Sequence, residues 1–167
     1  MYGEKSEKQK QYEDRVKELN KLIDSAPAPK EDYIVYRGAN KDMFNSHNPS
    51  GFLSDLKQLE GQLYYNQSFM STSIARETSF VDRKFKDPMR KKCDVEIVCK
   101  IPAGNHDTAA LLNDSVSEDV NTEQEVLIKS GSLYYISKVE YPEPGFARVH
   151  MILIPSDYYN EKPPAEQ

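Results

Sequence analysis

Two cysteines in 167 residues cannot staple a fold unless they meet, and these do not. Cys93 and Cys99 belong to one extended run, Cys93-Asp94-Val95-Glu96-Ile97-Val98-Cys99, and at ~3.3 Å per residue they stand ~20 Å apart, far beyond bridging range. No internal disulfide is expected, which points to a reducing final compartment. No apolar run approaches the ~20 residues of a membrane span, and no charged segment followed by an apolar one opens the chain as a secretory leader would. If the chain is secreted, the signal has been removed or lies outside this sequence. His47, His106 and His150 sit in unrelated contexts and no cysteine pair has zinc spacing, so no metal site is expected. A P-loop, a Gly-X-Gly-X-X-Gly turn and a nucleophile elbow are all missing. A serine nucleophile at Ser71 or Ser73 would need a histidine base, for which there is no signature. The net charge of -5 argues against a nucleic-acid-binding surface over the whole protein. There is no internal repeat.

What is present suits one globular domain. The length allows a core without staples, and 38% hydrophobic residues with a mean hydropathy of -0.75 describe a heavily charged surface. Tyr12, Val16, Leu19, Leu22 and Ile23 recur at helical spacing over residues 5–23, ahead of Pro27 and Pro29. A second helix is expected to hold Phe52, Leu53, Leu56, Leu59 and Leu63, with Ser50 as its N-cap. Strands are expected near 33–37, 68–73, 94–101, 124–129, 132–140 and 147–154, with Gly131 marking a hairpin and Pro142 and Pro144 a turn. Helices first and mostly strands afterwards read as α+β. The expected domain runs over 1–156, with 157–167 a flexible tail.

Three short segments carry chemistry. Tyr33-Ile34-Val35-Tyr36-Arg37-Gly38 is apolar on both faces, as a central buried strand would be, and ends on an arginine whose fork of donors suits a phosphate or a carboxylate. A structural ion pair would explain Arg37 equally well. In Phe69-Met70-Ser71-Thr72-Ser73, Ser71 and Ser73 share one face; their hydroxyls can orient a carboxylate or cap a strand end. Glu123-Gln124-Glu125 leads into Val126-Leu127-Ile128. The period of two sends both carboxylates to the same side, either as a solvated strand edge or as a paired-acid site that needs a cation, a shared proton or a substrate.

In chain order and sequence these segments resemble the mono-ADP-ribosyltransferase toxins of the Arg-Ser-Glu type, in the cholera and binary-toxin branch, from about Tyr33 to about Ile154. The resemblance implies an ADP-ribosyltransferase fold, a mostly antiparallel two-sheet core around an NAD cleft. It implies that Arg37 holds the NAD phosphates and braces the cleft, that Ser71, Thr72 and Ser73 of the Ser-Thr-Ser motif are among the NAD-binding residues, and that Ser71, first of the motif, orients a catalytic Glu125. Glu125 would grip the nicotinamide ribose and stabilise an oxocarbenium-like transition state. Glu123 matches the second acidic residue of arginine-modifying members. Phe80, with Phe85 as a rival, would pack on nicotinamide, and Arg83 would reach a phosphate. Residues 113–122 correspond to the target-recognition loop but lack its aromatic residue.

The implied activity is transfer of ADP-ribose from NAD to an arginine of a host protein, with release of nicotinamide. NAD is consumed as a substrate, so no resident cofactor is implied and the missing dinucleotide fingerprint is no objection. The alternatives are an NAD glycohydrolase and a catalytically silent NAD-binding or docking module of the same fold. The paired glutamates favour an enzyme. The family further implies a bacterial effector or toxin domain, secreted or injected and acting in the host cytosol, with a delivery or translocation component as an additional partner. The missing disulfide sets the chain apart from the family's disulfide-bonded vertebrate cell-surface relatives. Arg83, Lys84, Lys86, Arg90, Lys91 and Lys92 form a basic run that either attracts phosphates or an acidic target patch, or is a solvated loop.

Overall fold

The computed structural model describes residues 6–74, 93–111 and 125–160. Helix α1, Glu7–Ser25, begins on a capping box: the Ser6 hydroxyl accepts from the Gln9 amide, and the Gln9 side chain accepts from the Ser6 amide, each at 3.2 Å. The helix runs two residues past the expected end, stopping before Pro27. Of its apolar stripe only Ile23 is fully buried, while Tyr12 is 69% exposed.

Among the described residues eight strands follow: β1 Tyr33–Ala39, β2 Leu63–Asn66, β3 Met70–Ser73, β4 Val95–Ile101, β5 Thr108–Leu111, β6 Glu125–Ile128, β7 Ser132–Glu143 and β8 Phe146–Ile154. A short helix, α2, spans Asp157–Asn160. The sheet order is β2-β7-β8-β4-β1-β3-β6-β5, in which, among the described residues, only β4 and β8 run parallel. The two expected sheets are joined in hydrogen bonding, but β1 and β3 meet at the single register pair Tyr36 and Ser73. A five-stranded half therefore hinges on a three-stranded one. Val35, Ile97, Met151 and Leu153 from the first and Met70, Val126 and Ile128 from the second share one core cluster, closed by Phe44, Leu56 and Leu59. The opposite face of the three-stranded half carries a smaller cluster, in which Ala109 and Leu127 pack with Ile23 of α1. Full burial of such a side chain stabilises the fold by about 1.5–3 kcal/mol.

Several expectations are corrected. The second helix is a 3-10 helix over Leu53–Leu59, and Leu63 lies instead in β2. Ser50 does not cap it: its hydroxyl accepts from the Phe52 amide and donates to Asp55. The helix also serves β7, because Glu60 accepts from the Val139 amide and Lys57 donates to the Val139 carbonyl, at 2.8 and 2.9 Å, beside the strand's irregularity near Ile136 and Lys138. Gly131, at φ +75°, turns the chain between β6 and β7, which pair with different strands, so no hairpin forms there. The hairpin is β7–β8, closed by Pro144 and Gly145. Strand β1 is central but buried on one face only, with Val35 fully enclosed and Ile34 37% exposed. Arg37 sits within it rather than at its end. Residues 157–160 of the expected tail are helical, anchored by Ser156, whose amide and hydroxyl donate to the buried Asp107 carboxylate at 2.8 and 2.7 Å. Both cysteines are thiols, Cys99 buried and Cys93 just outside β4.

Candidate active site

Antiparallel pairing of β3 with β6 sets Ser73 opposite Glu125 and Ser71 opposite Leu127. Ser71 and Glu125 are thus diagonal neighbours on one sheet face, within reach of each other's side chains. The Ser71 hydroxyl donates to Glu125 Oε2 at 2.8 Å, which fixes one orientation of the carboxylate. From the neighbouring strand, Arg37 donates through Nη1 to the Ser71 carbonyl, also at 2.8 Å. Arginine, serine and glutamate therefore form one hydrogen-bonded chain across β1, β3 and β6, at the narrow joint between the two halves of the sheet.

Thr72 points to the other side of β3. It is 5% exposed, and its hydroxyl donates to the Val126 carbonyl at 2.7 Å, tying β3 to β6 in the register that brings Ser71 to Glu125. Ser73 is 8% exposed and lies between Tyr36 and Glu125 in one row across three strands. Glu123, Phe80, Phe85, Arg83, the basic run and the 113–122 loop lie outside the described residues.

The rest of the Arg37 guanidinium's surroundings are not legible in single-strand patterns. Arg37 lines a pocket of about 230 Å³ together with Asn40, Tyr64, Asn66, Ser68 and Phe69. Burial pushes the Tyr64 phenol above its ordinary pKa, and the nearby Arg37 charge partly opposes this. One cation, two amides, a hydroxyl and aromatic walls suit an anionic ligand with further polar groups. The sequence holds one easily overlooked signal. Tyr64, Asn66 and Ser68 recur with the period of a strand. Tyr36 likewise reads as core, although its register partner Ser73 sets it in the Glu125 row.

The arrangement can hold a carboxylate in one orientation beside a pocket whose polar groups suit an anion. The chain matches the family model described as ADP-ribosyltransferase exoenzyme over residues 2–152. A comparison with curated proteins found no match. Among solved structures, it is similar to C3larvin toxin, an ADP-ribosyltransferase from Paenibacillus larvae, at 17% identity and a TM-score of 0.63, covering 93% of this chain and 75% of that one. It is similar to C3stau2 from S. aureus, solved with NAD, at 16% identity and a TM-score of 0.62, covering 87% and 72%. The ADP-ribosylating toxin BECa, from a binary enterotoxin of C. perfringens and solved with NADH, gives 22% identity and a TM-score of 0.64 over 92% of this chain but 38% of that one. At these identities the likeness is one of fold.

Proposed function

The chain belongs to the ADP-ribosyltransferase exoenzyme family, and from that membership we propose that it transfers ADP-ribose from NAD to an arginine side chain of a host protein. The observation that carries this reading is the hydrogen bond from Ser71 to Glu125, set beside the Arg37 pocket. Cleavage of the bond between ribose C1′ and the nicotinamide nitrogen sends the electron pair to the ring, which leaves neutral, and builds positive charge on the sugar. A carboxylate fixed beside that carbon stabilises the charge where it develops. Glu125 has this role, Ser71 orients it, and Thr72 and Ser73 hold the strand register. Arg37 binds the pyrophosphate, with Asn40, Asn66 and Ser68 completing that end of the cleft. Phe80 packs on nicotinamide and Arg83 reaches a phosphate.

The acceptor guanidinium has a pKa above ~12 and is no nucleophile until it is aligned and relieved of a proton. Glu123 does both, after which a guanidinium nitrogen bonds to C1′. Secretion or injection by a bacterium, followed by action in the host cytosol with the help of a delivery component, fits the two thiols and the toxins of similar fold.

The test is labelled NAD with a cell lysate, agmatine as a free acceptor, and mass spectrometry of modified proteins. Wild type should label arginine and Glu123→Gln should not, while Glu123→Gln keeps most of its NAD hydrolysis. Arginine labelling at the wild-type rate by Glu123→Gln would overturn the arginine assignment. Rapid NAD hydrolysis by wild type with no labelling would make the protein a glycohydrolase, and NAD binding without either reaction a docking module.

A further inference from the structure

A second concavity of about 370 Å³ lies between the linker after α1, the start of β1 and the ends of β3, β5 and β6. Its walls are Pro27, Pro29, the Tyr33 ring, Ile74, Ala110 and Val126. Ala110 and Val126 are register partners, so they share a face, and that face is the one opposite Glu125. The polar groups are confined to one spot, where the hydroxyls of Tyr33 and Thr108 stand 3.4 Å apart. That is long for a bond between hydroxyls, whose usual separation is about 2.7–2.8 Å, so either hydroxyl can turn to a ligand at little cost. Burial also raises the Tyr33 pKa, which keeps a donor proton in place.

We propose that this concavity is a second ligand site, for a neutral aromatic molecule carrying one hydrogen-bonding group. The volume falls at the lower end of small-molecule sites, about 300–1,000 Å³. Among the described residues that line it there is no charged side chain, in contrast to the Arg37 pocket. An anion entering it would lose hydration without gaining a partner, whereas a flat ring packs on proline, tyrosine and aliphatic walls and gives its polar group to the hydroxyl pair. Ile74 directly follows Ser73 and Val126 directly follows Glu125, so an occupant braces β3 and β6 from behind the Ser71 to Glu125 bond.

Indole is the neutral probe and benzoate its charged counterpart, each titrated while the methyl signals of Ile74, Ala110 and Val126 are followed by NMR. Indole should give saturable shifts of all three, and benzoate should bind about tenfold more weakly or not at all. Ala110→Phe fills the space from an exposed position and should weaken indole at least about tenfold. Tyr33→Phe keeps the wall, removes one hydroxyl and should weaken it several-fold, by about the worth of one hydrogen bond. The proposal is overturned if the shifts fail to saturate, if benzoate binds as well as indole, or if Ala110→Phe and Tyr33→Phe bind indole as wild type does. It is also overturned if saturating NAD abolishes indole binding, which would put the ring in the Arg37 pocket. The readout is binding alone, so it stands apart from whether the protein transfers ADP-ribose.

Discussion

Ser71→Ala removes one hydroxyl from the site and nothing else of consequence. The lost donor lies 2.8 Å from Glu125 Oε2. A hydrogen bond to a charged acceptor contributes about 1.5–3 kcal/mol, and if all of it is felt in the transition state, kcat falls roughly 10- to 150-fold. NAD affinity should change little, because Arg37 uses the Ser71 backbone carbonyl, which alanine keeps. Glu125→Gln retains the shape and loses the charge, at about 3 kcal/mol or a hundredfold or more in rate. In the Glu125→Gln background the serine has no carboxylate left to orient. The double variant should therefore be about as slow as Glu125→Gln alone, with a coupling energy nearly equal to the whole Ser71→Ala effect. The assay is nicotinamide release at saturating NAD for the four proteins, with thermal melts to establish equal folding. Multiplicative losses in the double variant would refute the reasoning, as would a Ser71→Ala protein whose KM rises while its kcat stays intact.

Arg37→Lys keeps a charge but cannot both fork toward a phosphate and hold the Ser71 carbonyl. Calorimetry should find weaker NAD binding and melting a lower Tm, and unchanged affinity would make the arginine purely structural. Thr72→Val leaves the Val126 carbonyl without its 2.7 Å hydroxyl donor, at about 1–3 kcal/mol and roughly 2–4 °C of Tm per kcal/mol. The rate should fall with it; a raised KM at unchanged Tm would mean that the hydroxyl touches NAD instead. Glu140 accepts from His150 at 2.7 Å and from Arg148 at 3.2 Å, and these partners, His150 foremost, hold its carboxyl down at about 2 from an ordinary 4.5. The folded value lies below the unfolded one, so the stabilisation is complete above pH 4.5 and is lost as pH falls toward 2. Urea midpoints should accordingly show Glu140→Gln less stable than wild type at pH 6 and the difference closing between pH 4.5 and 2, whereas a constant difference would contradict the linkage.

The legible part of this protein is the part written in period two. Alternation alone puts Ser71 and Ser73 on one face and sets Glu125 on an apolar strand, and both hold in β3 and β6. Six of the eight strands among the described residues are visible for the same reason, and the helical stripe of residues 5–23 is visible through its own period of 3.6. The two strands that escape are the sheet edges, β2 and β5, four residues each. Leu63 extends the apolar spacing of the preceding segment, so the pattern assigns it to a helix that in fact ends at Leu59.

Pairing is the level at which single-strand patterns stop. Gly131 looks like a hairpin because two strands flank it, yet β6 turns away to β3 and β5 while β7 joins β2 and β8. That choice creates the site, since a β6–β7 hairpin would compete for the edge on which β3 brings Ser71 to Glu125. Long-range pairing of this kind is decided by which faces bury together, and here Met70, Val126 and Ile128 enter the same core as Val35 and Ile97. A one-residue slip between β3 and β6 would turn Glu125 toward that core, leave a carboxylate among apolar side chains and break the Thr72 bond at once. The core face, the Thr72 hydroxyl and the charge on Glu125 therefore enforce the same register, so the geometry of the candidate site follows from the condition that lets the sheet fold.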